Sequence, residues 1–253
     1  VCVKISFLKK FVCNLFIKYL LSILKPIESF LPVQLIIKKF LIIIFFFTLI
    51  PDKLFSLTNN IDDNGIITLM YHRFDENKYP STNIKMIDFN EHLKIIKENN
   101  FLYVNPNNFE KLILNEKLKK KVLITIDDGF LSFYKKAWPV LKKDKIPFIL
   151  FVNTKAVGQS GYMNWRQIKE IAKEDFAHIG NHSYSHEYLV DKDVKYISED
   201  INRSILDFKN NLGKNSKFFS YPFGEYSKNF KQIIKDLEFK YAFGQHSGVV
   251  DET

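Results

Sequence analysis

The sequence predicts an α/β fold, a distorted (β/α) barrel that follows an apolar N-terminal leader. Three observations carry that expectation. From residue 66 onward, short runs that are apolar on both faces alternate with amphipathic stretches at helical spacing, the pattern of parallel strands covered by helices. The alternation is strict, which favours a barrel over an open sheet. No Gly-rich phosphate loop follows the first run, which counts against a nucleotide-binding open sheet.

The strand runs are IITLMY (66–71), KVLITI (121–126), PFILFV (147–152), FAHIG (176–180), KFFSY (217–221) and FKYAF (239–243). Between them lie FNEHLKIIKENN (89–100), FYKKAWPVLKKD (133–144), MNWRQIKEIAKE (163–174), YISEDINRSILDFKNNLG (196–213) and KNFKQIIKDL (228–237). In the fourth of these, Ile197, Ile201, Ile205 and Phe208 recur at helical spacing and Gly213 stops the helix. The chain stops soon after the sixth run, so the barrel is expected to lack its C-terminal part, at least one strand and one helix.

The leader occupies residues 1–57. Lys38-Lys39 precede FLIIIFFFTLI (40–50) and Pro51, the charged and apolar regions of a secretory signal. Eleven residues span about 16 Å as a helix, short of a roughly 30 Å hydrocarbon core. A buried core helix is the alternative. The preceding lysine-spaced apolar stretch, FLKKFVCNLFIKYLLSILK, suits an interfacial amphipathic helix. The expected localisation is therefore exported, periplasmic or extracellular, with membrane attachment through this segment. TNNIDDNG (58–65) reads as a linker, and 66–253 as the catalytic domain.

The net charge of +9 belongs mainly to that leader, where eight lysines face only Glu28 and Asp52. The rest of the chain shows no basic face interleaved with aromatics, so no nucleic-acid partner is expected. Both cysteines, Cys2 and Cys13, also lie in the leader. The folded part therefore has neither a disulfide nor a thiolate-bound metal.

Polar residues follow the strand runs: His72, Asp127-Asp128, Asn153, His182 and Pro222-Phe223-Gly224. In a (β/α) barrel these positions share the C-terminal mouth, where active sites sit. Asp127 and Asp128 lie in TIDDG; adjacent carboxylates at the end of a buried strand repel each other without a cation or donors. Seen alone, an exposed Asp-Asp-Gly turn is the plain alternative. His182 and His186, in NHSYSH, are spaced to share one side of a helical turn; two surface histidines are the alternative there. Together, one carboxylate and two imidazoles form the three-ligand set of a catalytic zinc site, and the second carboxylate is free to take a proton from water.

TIDDG, NHSYSH and SYPFG, in that order, resemble the motifs of the polysaccharide deacetylase family, also called the NodB-homology or carbohydrate esterase family 4 domain. LMYHRF (69–74) and FVNT (151–154) support the resemblance, which covers roughly residues 66–250. It implies a NodB-type barrel, with Asp127 as general base and Asp128, His182 and His186 as ligands of one divalent ion, zinc being expected. The implied reaction is hydrolysis of N-acetyl groups from an N-acetylglucosamine-type polysaccharide. By the same analogy, the backbone N–H of Tyr221 is the expected oxyanion donor. His246, in FGQHSG, is the expected general acid, with His72 competing. Pro222, Phe223, His72 and Tyr184 are expected to line the sugar site, and Trp165 is a weaker candidate for the same groove.

One departure stands out. Ser220 occupies the place where the family usually has an arginine that orients the base, and a serine supplies no guanidinium fork. Arg73 and Arg166 are the candidates to substitute for it. Family branches acting on exported poly-N-acetylglucosamine share the aromatic-Pro-aromatic-Gly form. His178 and His92 read as structural. A catalytically inactive carbohydrate-binding protein of the same fold is the alternative function, and the presence of Asp127 argues against it. A membrane-bound structural protein leaves the strand-end residues unexplained.

Overall fold

The computed structural model describes residues 65–115, 119–245 and 249–250. The leader, both cysteines and His246 lie outside the described residues. The elements, in order, are β1 (Ile66–Tyr71), β2 (Arg73–Phe74), β3 (Asn83–Ile84), α1 (Met86–Glu98), β4 (Leu102–Tyr103), α2 (Phe109–Ile113), β5 (Lys121–Ile126), α3 (Trp138–Asp144), β6 (Phe148–Val152), α4 (Trp165–Ile171), β7 (Ala177–Asn181), α5 (Val194–Leu212), β8 (Phe218–Ser220), α6 (Lys228–Asp236), β9 (Tyr241–Phe243) and β10 (Val249–Val250). All six apolar runs of the sequence are strands. Among the described residues, no helix is long and apolar enough to cross a membrane.

The main sheet runs β10-β1-β5-β6-β7-β8-β9, with β4 beside the start of β5. All pairings are parallel except β1 with β10. The sheet curls without closing: among the described residues β9 and β10 do not pair, so the barrel is an open half-barrel. Its curvature is measurable. The strands β7 and β8 lie between β6 and β9, which in a flat sheet would separate them by about 14 Å. Phe151 of β6 nevertheless meets Phe243 of β9 with ring centroids 5.4 Å apart.

Period-2 alternation divides the core. Val122, Ile124, Ile126, Phe148, Leu150 and Val152 face α1, α3 and α4 on the convex side. Leu123, Ile149, Phe151 and Phe218 face the concave side, which α2 plugs with Phe109. Phe109 meets Tyr241 at 4.7 Å and Phe218 at 5.6 Å. Lys121 opens β5 fully buried, and its Nζ donates to the carbonyls of Leu112 (2.8 Å) and Asn115 (3.1 Å). It thereby caps carbonyls at and just beyond the end of α2 that have no partner in the helix. A third cluster joins Phe219 and Tyr221 to Ile197, Ile201 and Ile205 of α5 and to Phe230 and Ile234 of α6.

The sequence pattern predicts one helix over residues 133–144. Phe133–Ala137 instead form a π turn that leads into α3. Pro139 explains the break, since it lacks an N–H for the ladder and crowds the preceding turn. The helices end and begin on ordinary chemistry. Asn164 and Gln167 form a capping box on α4, Asp193 caps α5, and Gly213 ends α5 at φ 77°.

Gly180 makes the curl possible. A Cβ there would lie 2.3 Å from Phe151 Cδ1, so only a glycine lets the inward Phe151 ring lie across β7. Gly180→Ala is expected to lower stability by about 1–3 kcal/mol, the usual cost of overpacking, measured by urea unfolding. Unchanged stability would contradict this origin of the curvature.

His178, on β7, has its Nε2 3.3 Å from Ser216 Oγ and its ring edge-on to Phe218. Burial, then Lys217 and Lys214, depress its pKa to about 4. The unfolded chain therefore binds a proton that the fold refuses as pH falls from 6.5 to 4, and stability is lost in that window. Relative to wild type, His178→Gln should remove about 2 kcal/mol of destabilisation between pH 7 and pH 5. Equal pH slopes for the two proteins would contradict the assignment.

Candidate active site

Because the strands run parallel and nearly in register, their C-terminal ends share one rim. Asp127 extends β5 by one residue, its N–H donating to the Tyr71 carbonyl at 2.8 Å. Asp128 (φ 72°) and Gly129 (φ 73°) then turn the chain sharply, both in the left-handed region. For Asp128 this costs of order 1–2 kcal/mol, and such strain clusters at functional sites. Phe130 leaves the turn and bridges to Tyr162.

His182 follows β7, with its N–H on the Val152 carbonyl at 3.0 Å. Its Nδ1 donates to the Ser220 carbonyl at 2.7 Å. A carbonyl only accepts, so the ring proton sits on Nδ1 and the Nε2 lone pair is free. That Nε2 lies 3.6 Å from Asp128 Oδ1, and His186 Nε2 lies 3.1 Å from the same oxygen. One ligand atom from each of Asp128, His182 and His186 falls within 4.8 Å of the others. Burial lowers the pKa of both imidazoles, with His182 adding to the effect on His186. Neutral imidazoles are the form that binds metal.

Asp127 is buried beside this set, its Oδ2 4.0 Å from His182 Nε2. Oδ2 accepts from the Ser220 hydroxyl at 3.2 Å. Oδ1 has no hydrogen-bond partner among the described residues. Burial raises its pKa to about 7; His72 opposes the rise, Asp128 adds to it and the Ser220 bond opposes it. A buried carboxylate with one orphan oxygen, its other oxygen 4.0 Å from an imidazole of the cluster, is what a cation site with a neighbouring base requires. The donor set fits a divalent ion of the zinc type.

Several sequence expectations change. The segment between His182 and His186 is not a helical turn: Ser183 has φ 66° and His186 φ 54°. The imidazoles still converge, at 4.7 Å between ring centroids, because side chains rather than a helical ladder fix the loop. The Tyr221 N–H is not free, since it donates to the Phe243 carbonyl at 2.9 Å across the β8–β9 edge. Arg73 does not replace the missing arginine. It pairs with Glu76 and is stacked between Tyr79 and Phe130, at 3.9 and 3.4 Å from their ring centroids. Arg166, on α4, lies in a surface hollow with Tyr134 and Glu170. Ser220 supplies Asp127 with one hydroxyl bond in place of a guanidinium fork.

The expected sugar-site residues divide. Phe223 is 52% exposed at φ 59°, its ring against His186 (4.9 Å) and Tyr188 (5.7 Å). Pro222 is buried behind it and sets the turn. The Tyr184 ring lies under the Arg203 guanidinium at 3.8 Å. Trp165 packs edge-on to Phe208, so it belongs to the core. His72 is half-buried at the end of β1, where its charge acts on Asp127. His92 bonds the Tyr71 hydroxyl through Nδ1 at 2.9 Å.

Asp200 is not among the residues the motifs single out, yet its carboxylate accepts the N–H groups of Tyr184 and Ser185. A signal existed. Asp200 falls three residues after Ile197, within the buried stripe of α5, where an acid is out of place unless bonded.

With no metal bound, folding favours protonated Asp127, because its folded pKa lies above the unfolded carboxylate value. Stability should therefore fall as pH rises from about 4 to 7, opposite in sign to the His178 effect. Asp127→Asn is expected to stabilise the metal-free protein at pH 8 by on the order of 4 kcal/mol, read from urea unfolding. A less stable variant would contradict the burial argument.

Comparison with known proteins agrees with this geometry. Residues 115–242 match the family model described as polysaccharide deacetylase. The chain is 28% identical over 162 residues to the Bacillus subtilis protein YxkH, named as a polysaccharide deacetylase, covering 63% of this chain and 57% of that one. It therefore spans little more than half the length of that relative. It is 24% identical over 209 residues to the poly-beta-1,6-N-acetyl-D-glucosamine N-deacetylase of Staphylococcus aureus, covering 72% of each. Among solved structures, IcaB from Ammonifex degensii is 30% identical with a TM-score of 0.67, covering 74% of this chain and 86% of that one. The Streptococcus pyogenes deacetylase PplD, solved with acetate, shares the fold at 23% identity, with TM-score 0.67 and the same coverage. The curled sheet, the motif-bearing rim and these likenesses together show that this chain belongs to the polysaccharide deacetylase family.

Proposed function

We propose that this chain removes N-acetyl groups from N-acetylglucosamine-type units of an exported or cell-surface polysaccharide, using one divalent cation, zinc being the expected ion. One observation carries the reading. Asp128 Oδ1, His182 Nε2 and His186 Nε2 cluster within 4.8 Å, beside the buried Asp127 with its unpaired Oδ1. The Staphylococcus aureus relative, named for poly-beta-1,6-N-acetyl-D-glucosamine, supports the choice of polymer. Residues 38–50 support export and membrane attachment, and the start of β1 at Ile66 supports a domain boundary there.

Asp128, His182 and His186 would hold the cation, which when bound polarises the acetamide carbonyl and lowers the pKa of water at that point. Asp127 takes the proton of the attacking water; a pKa raised toward neutrality suits a general base. The Ser220 hydroxyl holds Asp127 Oδ2, leaving Oδ1 for the water. As the carbonyl oxygen gains charge, a backbone N–H should meet it. We assign this to Phe223, whose N–H makes no hydrogen bond among the described residues, whereas that of Tyr221 is occupied. The C–N bond then breaks, acetate leaves, and the amine departs protonated. His72, near enough for its charge to act on Asp127, is the acid we assign to that proton. The exposed Phe223 ring offers a face for the sugar to stack on.

Acetate release from β-1,6-linked N-acetylglucosamine oligomers tests the reading. A chelator should abolish release, and zinc or cobalt should restore it. Asp127→Asn should lower kcat at least 100-fold with binding of the oligomer retained, and His72→Asn should lower kcat more than it changes KM. Release that persists in chelator, or in Asp127→Asn, would overturn the proposal.

A further inference from the structure

We infer that Asp200 is a positioning residue, which presets His186 for the cation by clamping the backbone of residues 184–185 from helix α5. This rests on the ligand role proposed above for His186. Every backbone N–H withdrawn from water needs an acceptor. The His182–His186 loop has two left-handed residues and no repeating ladder, so its N–H groups turn to side-chain acceptors. The Ser183 N–H goes to Asn181 Oδ1 (3.0 Å), that of Tyr184 to Asp200 Oδ1 (2.9 Å) and that of Ser185 to Asp200 Oδ2 (3.0 Å). The His186 N–H goes to Ser183 Oγ at 3.0 Å. The opposite edge is held as well: the Ser183 and Tyr184 carbonyls accept from the N–H groups of Thr154 and Lys155, at 3.2 and 3.0 Å.

Within this scheme Asp200 is the one acceptor that comes from outside the two connecting loops and carries charge. Its two oxygens each take a neighbouring N–H, which fixes the direction of that peptide as well as its position. Ser204 lies one helical turn further along α5, on the same face. Its Oγ is 3.0 Å from Asn181 Oδ1, the acceptor of the Ser183 N–H. One face of α5 thus braces both ends of the loop. Asp200 is buried, and among the described residues it has no ion-pair partner. A carboxylate so placed is costly unless bonded, and here its bonds go to the loop that carries His186.

A brace that merely held the fold together would change stability without changing metal affinity. The test separates the two by titrating Zn²⁺ and Co²⁺ into the full chain for wild type, Asp200→Asn and Asp193→Ala. Asp193 caps the same helix through Tyr196 N–H and, among the described residues, makes no hydrogen bond to residues 182–186. Removing it should lower the melting temperature and leave metal affinity unchanged. Asp200→Asn should weaken binding of either metal by 10- to 100-fold, the range for partners that orient ligands, and alter the Co²⁺ absorption spectrum. Affinity equal to wild type would overturn the inference.

Amide exchange on the metal-free wild-type chain provides a second arm that needs no variant to fold. The Tyr184 and Ser185 amides should already be protected. If they exchange freely until metal is added, the metal and not Asp200 organises the loop. If wild type takes up no metal at all, the ligand proposal fails, while the exchange result still decides whether the clamp exists.

Discussion

Asp127 and Asp128 are adjacent carboxylates held out of water at the end of a strand buried on both faces, and the cost of that burial, to which their mutual repulsion adds, is what the surrounding groups are arranged to offset. Each neighbour can be read by how it does so. Ser220 gives one hydroxyl bond to Asp127 Oδ2, whereas the two imidazoles beside Asp128 Oδ1 do not neutralise its charge. Burial keeps those imidazoles neutral, so they offer lone pairs and not charge. The compensation within the chain is incomplete, and Asp127 Oδ1 is left without a bond. A divalent ion held by Asp128, His182 and His186, as proposed above, would supply the missing positive charge.

The sheet sets up this arrangement by register. Parallel strands ending at one level deliver His72, Asp127, Asn153 and His182 to the same rim without any long-range design of the loops. Curvature brings in the far side. Gly180 lets Phe151 cross the concave face, and β8 and β9 swing round so that the Ser220 carbonyl can accept the hydrogen bond of His182 Nδ1–H. Ser220 therefore acts twice, its carbonyl fixing the tautomer of His182 and its hydroxyl holding Asp127. A guanidinium at that position would bring a full charge to Asp127; the hydroxyl does not, and burial keeps the Asp127 pKa raised.

The strands were legible because a short run that is apolar on both faces suits little besides a parallel strand covered by helices, and all six stand where the pattern puts them. Two-residue strands such as β2, β3 and β4 leave no periodicity to read. The open curl was illegible because closure depends on which edges meet, and alternation of elements does not specify that. The residues that the acid and histidine motifs single out do converge, but not for the reason their spacing suggests. An i, i+4 spacing suggests a helical turn, but the convergence of His182 and His186 comes from a clamped loop with left-handed residues. Asp200 hid in an amphipathic helix, where only its place on the apolar stripe betrayed it. The engaged Tyr221 N–H followed from the β8–β9 register, which no motif encodes.

X-ray absorption on the cobalt- or zinc-loaded chain bears most directly on the central claim, that Asp128, His182 and His186 form one cation site. The account predicts two imidazole nitrogens at about 2.0–2.1 Å together with carboxylate oxygen, and one imidazole fewer in His186→Ala. A first shell without imidazole scattering, or an unchanged shell in His186→Ala, would contradict it.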